Sequence, residues 1–155
     1  MIYVFDTNTF SEMSPYFPDV FKAFWMNFEK AVATGEVTST REVLRELNNG
    51  AKHHVLDWCN DNKAVFPIPD AEETGFITKI FAERRFHQLI GEKQALRGTP
   101  VADPFVIARA AVLNGAVVSE ESPVKGKINI PAACDHFGLP CMKLGGFLRA
   151  KGWTF

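Results

Sequence analysis

The chain has 155 residues, of which 46% are hydrophobic and 23% charged, with 14 Phe and 3 Trp; this excludes a disordered chain and fits one domain, residues 1–155, built around an aromatic core. A net charge of −1 and a pI near 6.4 provide no global field that attracts nucleic acid, so any such binding has to come from a local patch. No apolar run reaches the roughly 20 residues that span a bilayer, the opening MIYVF lacks the basic flank of a signal peptide, and the cysteines Cys59, Cys134 and Cys141 are odd in number. A cytoplasmic protein with reduced thiols and no membrane contact is expected.

Ile2 to Phe5 are continuously apolar, which predicts a strand covered on both faces and therefore central in a parallel sheet. Val20, Phe21, Phe24, Trp25, Phe28 and Val32 then recur at helical spacing, and Gly35 suits the stop. EVTST reads as a short strand whose Ser39 or Thr40 can cap the helix REVLRELNN, and HHVLDWCNDN as another short helix. FPIPD is a proline-stiffened connector. Ala71 to Leu96 reads as two helices, broken near Arg84 and Arg85 or at Gly91. ADPFVIARAAVLNG carries an acid, a proline at the first helical position and a terminal glycine, the best helix signals in the chain. AVVSEE predicts a second buried strand with polar residues at its carboxyl end, INIP another strand, AACDHFG a short helix, and KLGGFLRAKGWTF a terminal helix with an extension. Strands alternating with helices predict an α/β three-layer sandwich with a central, mostly parallel sheet, which binds ligands beyond the carboxyl ends of its strands at a topological switch point.

Asp6 leaves the first strand at that edge, followed by Thr7, Asn8 and Thr9, which on a structural reading are turn residues and make Asp6 a cap. Glu42 and Glu46 share one face of REVLREL at i and i+4, where Arg41 and Arg45 make an ion-paired surface the plainer reading. Asp103 stands at the start of its helix, where capping would explain it, unless one oxygen caps while the other reaches a cleft. Glu120 and Glu121 leave the second strand much as Asp6 leaves the first. Three or four carboxylates brought together repel one another, and a divalent cation is their natural counter-charge. Mg²⁺ or Mn²⁺ takes oxygen ligands and serves phosphodiester hydrolysis, with Asn8 and Ser119 available as neutral hydrogen-bonders that orient ligands or water.

With VFDTN, VLREL, ADPFVIARA and VVSEE in order, the chain resembles the PIN domain, the metal-dependent nuclease fold of VapC-type toxins. It is most similar to a bacterial PIN-like branch, the DUF4411 family, which also carries Asp-Pro in its third motif and a late IP..C..FG stretch, here NIPAACDHFG. The resemblance implies that Asp6 is the first acid and Asp103 the third. It implies Glu46, in an EL pair three positions after Val43, as the second, with Glu42 the alternative. Counted from Ser119, it implies Glu121 as the fourth acid over Glu120, although Ser and Glu stand where Thr and Asp are commoner in that family. It further implies endoribonuclease activity dependent on Mg²⁺ or Mn²⁺, RNA as substrate, a homodimer, and the toxin role of a toxin–antitoxin pair with an antitoxin protein as partner.

Two other readings remain open. FDTNT is similar to the opening of haloacid-dehalogenase-type phosphatases, but Asn8 replaces their second acid. A PIN-like module that binds without cleaving has no use for four mutually repelling acids. A zinc site is disfavoured, because His53 and His54 are adjacent and Cys134, His136 and Cys141 contain no CxxC pair. Basic residues are scattered through the chain, with Arg84, Arg85, Arg97, Arg109, Lys125 and Lys127 on expected solvated faces; Arg41 and Arg45, which flank the expected ligands, are the first candidates for phosphate contacts.

Overall fold

Four short parallel strands form the sheet of the computed structural model, which describes residues 1–90 and 101–155. β1 (Tyr3–Phe5) lies at its centre, paired with β2 (Val37–Thr38) on one side and β3 (Ala116–Val118) on the other, and β4 (Cys141–Met142) closes the β3 edge. All three residues of β1 and of β3 are buried, as continuous apolar runs covered on two faces should be.

The helices make the outer layers. α1 (Thr7–Glu12) follows β1 directly, and α2 (Lys22–Ala33) leads to β2. α3 (Arg41–Asn48) begins after Thr40, whose hydroxyl accepts from Val43 N, and α4 (His54–Asp61) after His53, whose ring accepts from Leu56 N. α5 (Ala71–Ala82) is capped by Asp70 and packs on α6 (Asp103–Val112), which in turn packs against β1 and β3. α7 (Ile130–Phe137) ends at Gly138 in the left-handed conformation, and α8 (Leu144–Ala150) carries Phe147 to the centre of the core. On one face of β1, Phe147 meets the rings of Tyr3 at 4.9 Å and Phe5 at 5.0 Å, while Phe28 of α2 lies 5.7 Å from Phe5. Phe24, Trp25 and Phe28 are buried, which gives the aromatic helix its place in the core; Val20 and Phe21 precede α2 and are exposed.

The α/β sandwich is as expected, but two local readings change. INIP is not a strand: Asn129 accepts from Ala132 N and caps α7, and Pro131 occupies the helix's first turn. The fourth strand lies instead at Cys141–Met142, two residues with no pattern of their own, fixed by pairing with Val117 and Val118. The stretch from Ala71 breaks at Glu83 and continues as a 3-10 helix over Arg84–Leu89. Its expected continuation to Leu96, the alternative break at Gly91, and Arg97 lie outside the described residues. Among the described residues, no helix is long and apolar enough to cross a membrane.

Candidate functional site

The strand order β2-β1-β3-β4 sends the chain to opposite sides after β1 and after β3. The crevice between the carboxyl ends of these two strands is therefore the topological switch point, where parallel sheets bind ligands. Phe5 pairs with Val118, so the next residues, Asp6 and Ser119, face each other across it. Asp6 N donates to Val118 O at 2.9 Å. Its buried side chain is divided between two tasks: Oδ1 accepts from Thr7 N at 2.8 Å and caps α1, while Oδ2 accepts the Ser119 hydroxyl at 3.0 Å. Asn8 Oδ1 accepts from Glu120 N at 2.9 Å, which ties the start of α1 to the end of β3. The turn residues after Asp6 are thus the first turn of a short helix, and Asn8 and Ser119 are hydrogen-bonders at the site.

Asp103 arrives from α6. It does not cap that helix, contrary to the simplest sequence reading: Ala102 is the capping residue, Asp103 is the first helical residue, and no side-chain cap bond forms. Among the described residues no donor reaches its carboxylate, which lines the same crevice as Asp6 and Glu121. Glu121 Oε2 accepts from Ile130 N at 2.9 Å, so the carboxylate is anchored to the start of α7. One oxygen from each of Asp6, Asp103 and Glu121 lies within 4.8 Å of the others.

The expected second acid, Glu46, stands at the wall rather than in this trio. Glu46 Oε1 accepts the Thr7 hydroxyl at 2.5 Å and Oε2 accepts from Ala102 N at 2.8 Å, so α3 holds α1 to the residue just before Asp103. The alternatives point elsewhere. Glu42 is buried against Arg41 at 2.9 Å and Arg45 at 3.4 Å, and Glu120 accepts from Leu144 N at 2.6 Å at the start of α8. Arg41 and Arg45, the expected phosphate contacts, are both engaged by Glu42 and do not line the crevice. Arg109 is bound to Glu73 and Thr38, away from it. Thr7 is the residue that sequence reasoning missed; a hydroxyl directly after the first acid was its only signal.

The crevice has a volume of about 440 Å³ and is lined by Asp6, Thr7, Asn8, Ser11, Glu46, Leu89, Val101, Asp103 and Glu121. Burial pushes the Asp6 carboxyl up to about 7, repulsion from Glu121 and Glu46 adds to it, and the Thr7 N–H and Ser119 hydroxyl work against it. Burial likewise raises Asp103 to about 9, reinforced by Asp6, Glu121 and Glu46. None of the ion pairs among the described residues includes a member of the trio. Converging, under-compensated carboxylate oxygens are the donor set that hard divalent cations such as Mg²⁺ and Mn²⁺ take. The residues therefore fit such an ion.

This is an α/β protein with an acidic crevice at the switch point of an all-parallel sheet. It belongs to the family described as Domain of unknown function (DUF4411), whose model matches residues 3–155 and so includes every residue of the crevice. No curated protein matches the chain.

Proposed function

We propose that the crevice is the active site of a PIN-type endoribonuclease that depends on Mg²⁺ or Mn²⁺. The observation that carries the proposal is the trio Asp6, Asp103 and Glu121, three carboxylates from three separate elements with ligand oxygens within 4.8 Å. The family's description names no activity, so the choice of RNA rests on the resemblance of the four motifs to PIN nucleases. The same resemblance supports a toxin role restrained by an antitoxin, and a homodimer.

In this reading Asp6, Asp103 and Glu121 hold the cation. When bound, it neutralises the carboxylates, orients a phosphodiester and lowers the pKa of water. The chain's own contribution is to keep the ligands in place. Ser119 fixes one oxygen of Asp6, the Thr7 N–H fixes the other, and Ile130 N anchors Glu121. Glu46, oriented by Thr7 and Ala102, presents a carboxylate at the wall that can accept a proton from an incoming water. Asn8, already bonded to Glu120 N, has no carboxylate with which to serve as the acid of a phosphatase.

Purified protein incubated with mixed-sequence RNA should cleave it with added Mn²⁺ or Mg²⁺ and not in EDTA. Asp6→Asn keeps an oxygen for the Thr7 N–H and should retain the far-UV circular dichroism spectrum while cleavage is lost. Equal cleavage by wild type and variant, or a covalent acid-labile phosphoenzyme, would overturn the proposal.

A further inference from the structure

Two of the three free cysteines lie on adjoining elements. Cys134 is on α7, and Cys141 opens β4, which packs against that helix. The turn between them is closed by Gly138 in the left-handed conformation and by Leu139 N donating to Cys134 O at 2.8 Å. Both residues line a second cavity of about 420 Å³ together with Pro131, Ala132 and Leu139. The Cys134 thiol is buried, that of Cys141 is half-buried, and the two titrate as neighbours on the wall of this one cavity. Cys59 is buried on α4 and lines neither cavity.

We infer that Cys134 and Cys141 form a dithiol oxidation site that a hydroperoxide converts to an intramolecular disulfide. The geometry divides the roles between the two sulfurs. Cys141 is the reachable one; its neighbour Cys134 holds its thiol below the ordinary value against the opposing effects of burial, Glu121 and Asp6, whereas Cys141 and burial push Cys134 up. The thiolate of Cys141 is therefore the nucleophile and Cys134 the resolving thiol. Cys141 Sγ attacks the O–O bond; the alcohol leaves after taking a proton, and the sulfur becomes a sulfenic acid. Cys134 Sγ then attacks that sulfur, the S–O bond breaks, and the hydroxyl leaves as water with the Cys134 proton. Two thiols lose two electrons in all, and the O–O bond gains them. The product joins α7 to β4 across a short loop. Since Glu121 is anchored to the first residue of α7 and Glu120 to the first residue of α8, just beyond β4, the cross-link braces the elements that hold the β3 end.

The native full-length chain should be treated with tert-butyl hydroperoxide, quenched with an alkylating reagent and analysed by intact mass and peptide mapping. The expected result is a fall from three alkylatable thiols to one under denaturing conditions, a Cys134–Cys141 peptide, and full recovery with dithiothreitol. Cys134→Ser should instead leave a sulfenic acid on Cys141 that dimedone traps, and Cys141→Ser should leave its remaining thiols alkylatable. Circular dichroism identifies any variant that fails to fold, and the wild-type mapping decides the matter without the variants. Three thiols retained after oxidant, a disulfide involving Cys59, cross-linking between chains, or oxidation of Cys141 beyond the sulfenic acid without a disulfide would each overturn the assignment. RNA cleavage is not part of this readout, so the outcome is separate from that of the proposed function.

Discussion

Replacing Asp103 by Asn should stabilise the metal-free protein at neutral pH. In EDTA the folded chain raises Asp6 to about 7 and Asp103 to about 9 from the ordinary value of 3.8, and burial is the largest cause for each. Between the ordinary and the raised values the folded state binds more protons than the unfolded one, so stability falls as pH rises through that window. Each pH unit crossed costs about 1.4 kcal/mol per proton. By pH 7 Asp103 has crossed about three units, or ~4 kcal/mol, and because it is only half-buried, solvent screening brings the expected penalty to about 2 kcal/mol. Asn keeps the size, removes this charge and relieves Asp6. Urea unfolding in EDTA, followed by tryptophan fluorescence from about pH 5 to about pH 8, should show wild type losing stability across the range. Asp103→Asn should be flatter and more stable by about 2 kcal/mol near neutrality. Added Mn²⁺ should then stabilise wild type and leave the variant nearly unchanged. A variant less stable than wild type in EDTA near neutrality, or a pH slope identical to that of wild type, would refute the reasoning.

Other positions give independent checks. Thr7→Val removes the 2.5 Å hydrogen bond that orients Glu46, and metal-dependent RNA cleavage should fall about tenfold, roughly 1.4 kcal/mol of barrier, with little change in the urea midpoint. Arg109→Met leaves Glu73, which is 2% exposed, without its partner at 2.6 Å. It should destabilise the fold by about 3–5 kcal/mol in urea unfolding, most of it recovered by adding Glu73→Leu. A Cβ at Gly115 would sit 2.5 Å from the backbone oxygen of Ile2, so Gly115→Ala should force β1 and the entry to β3 apart and lower stability by about 1–3 kcal/mol, read from the same unfolding curves.

The layered fold was legible because its strongest signals are local. The apolar run ending at Phe5, the capped helix after Thr40 and the Pro104-led helix each declare themselves within a dozen residues. β4 was not legible, since its two residues are a strand only through pairing with β3, and INIP misled because its isoleucines flank a cap and a helix start. At the site, Asp6 was readable as an acid at the end of a central strand, and Glu121 as its counterpart just beyond β3. The freedom of Asp103 was not, because an acid before a proline ordinarily caps, and only the backbone shows that Ala102 occupies that position. Nor could spacing separate Glu42 from Glu46. They share a helix face, and the difference arises from what surrounds each: Arg41 and Arg45 close on Glu42, whereas Thr7 and Ala102, distant in sequence, hold Glu46 at the crevice.

The central claim is that Asp6, Asp103 and Glu121 jointly hold a divalent cation. Its most direct test is an anomalous difference map from crystals grown with manganese. The account predicts a peak at about 2.0 to 2.6 Å from a carboxylate oxygen of Asp6 and from at least one of Asp103 and Glu121. Manganese bound elsewhere on the chain, with no peak in this crevice, would contradict it.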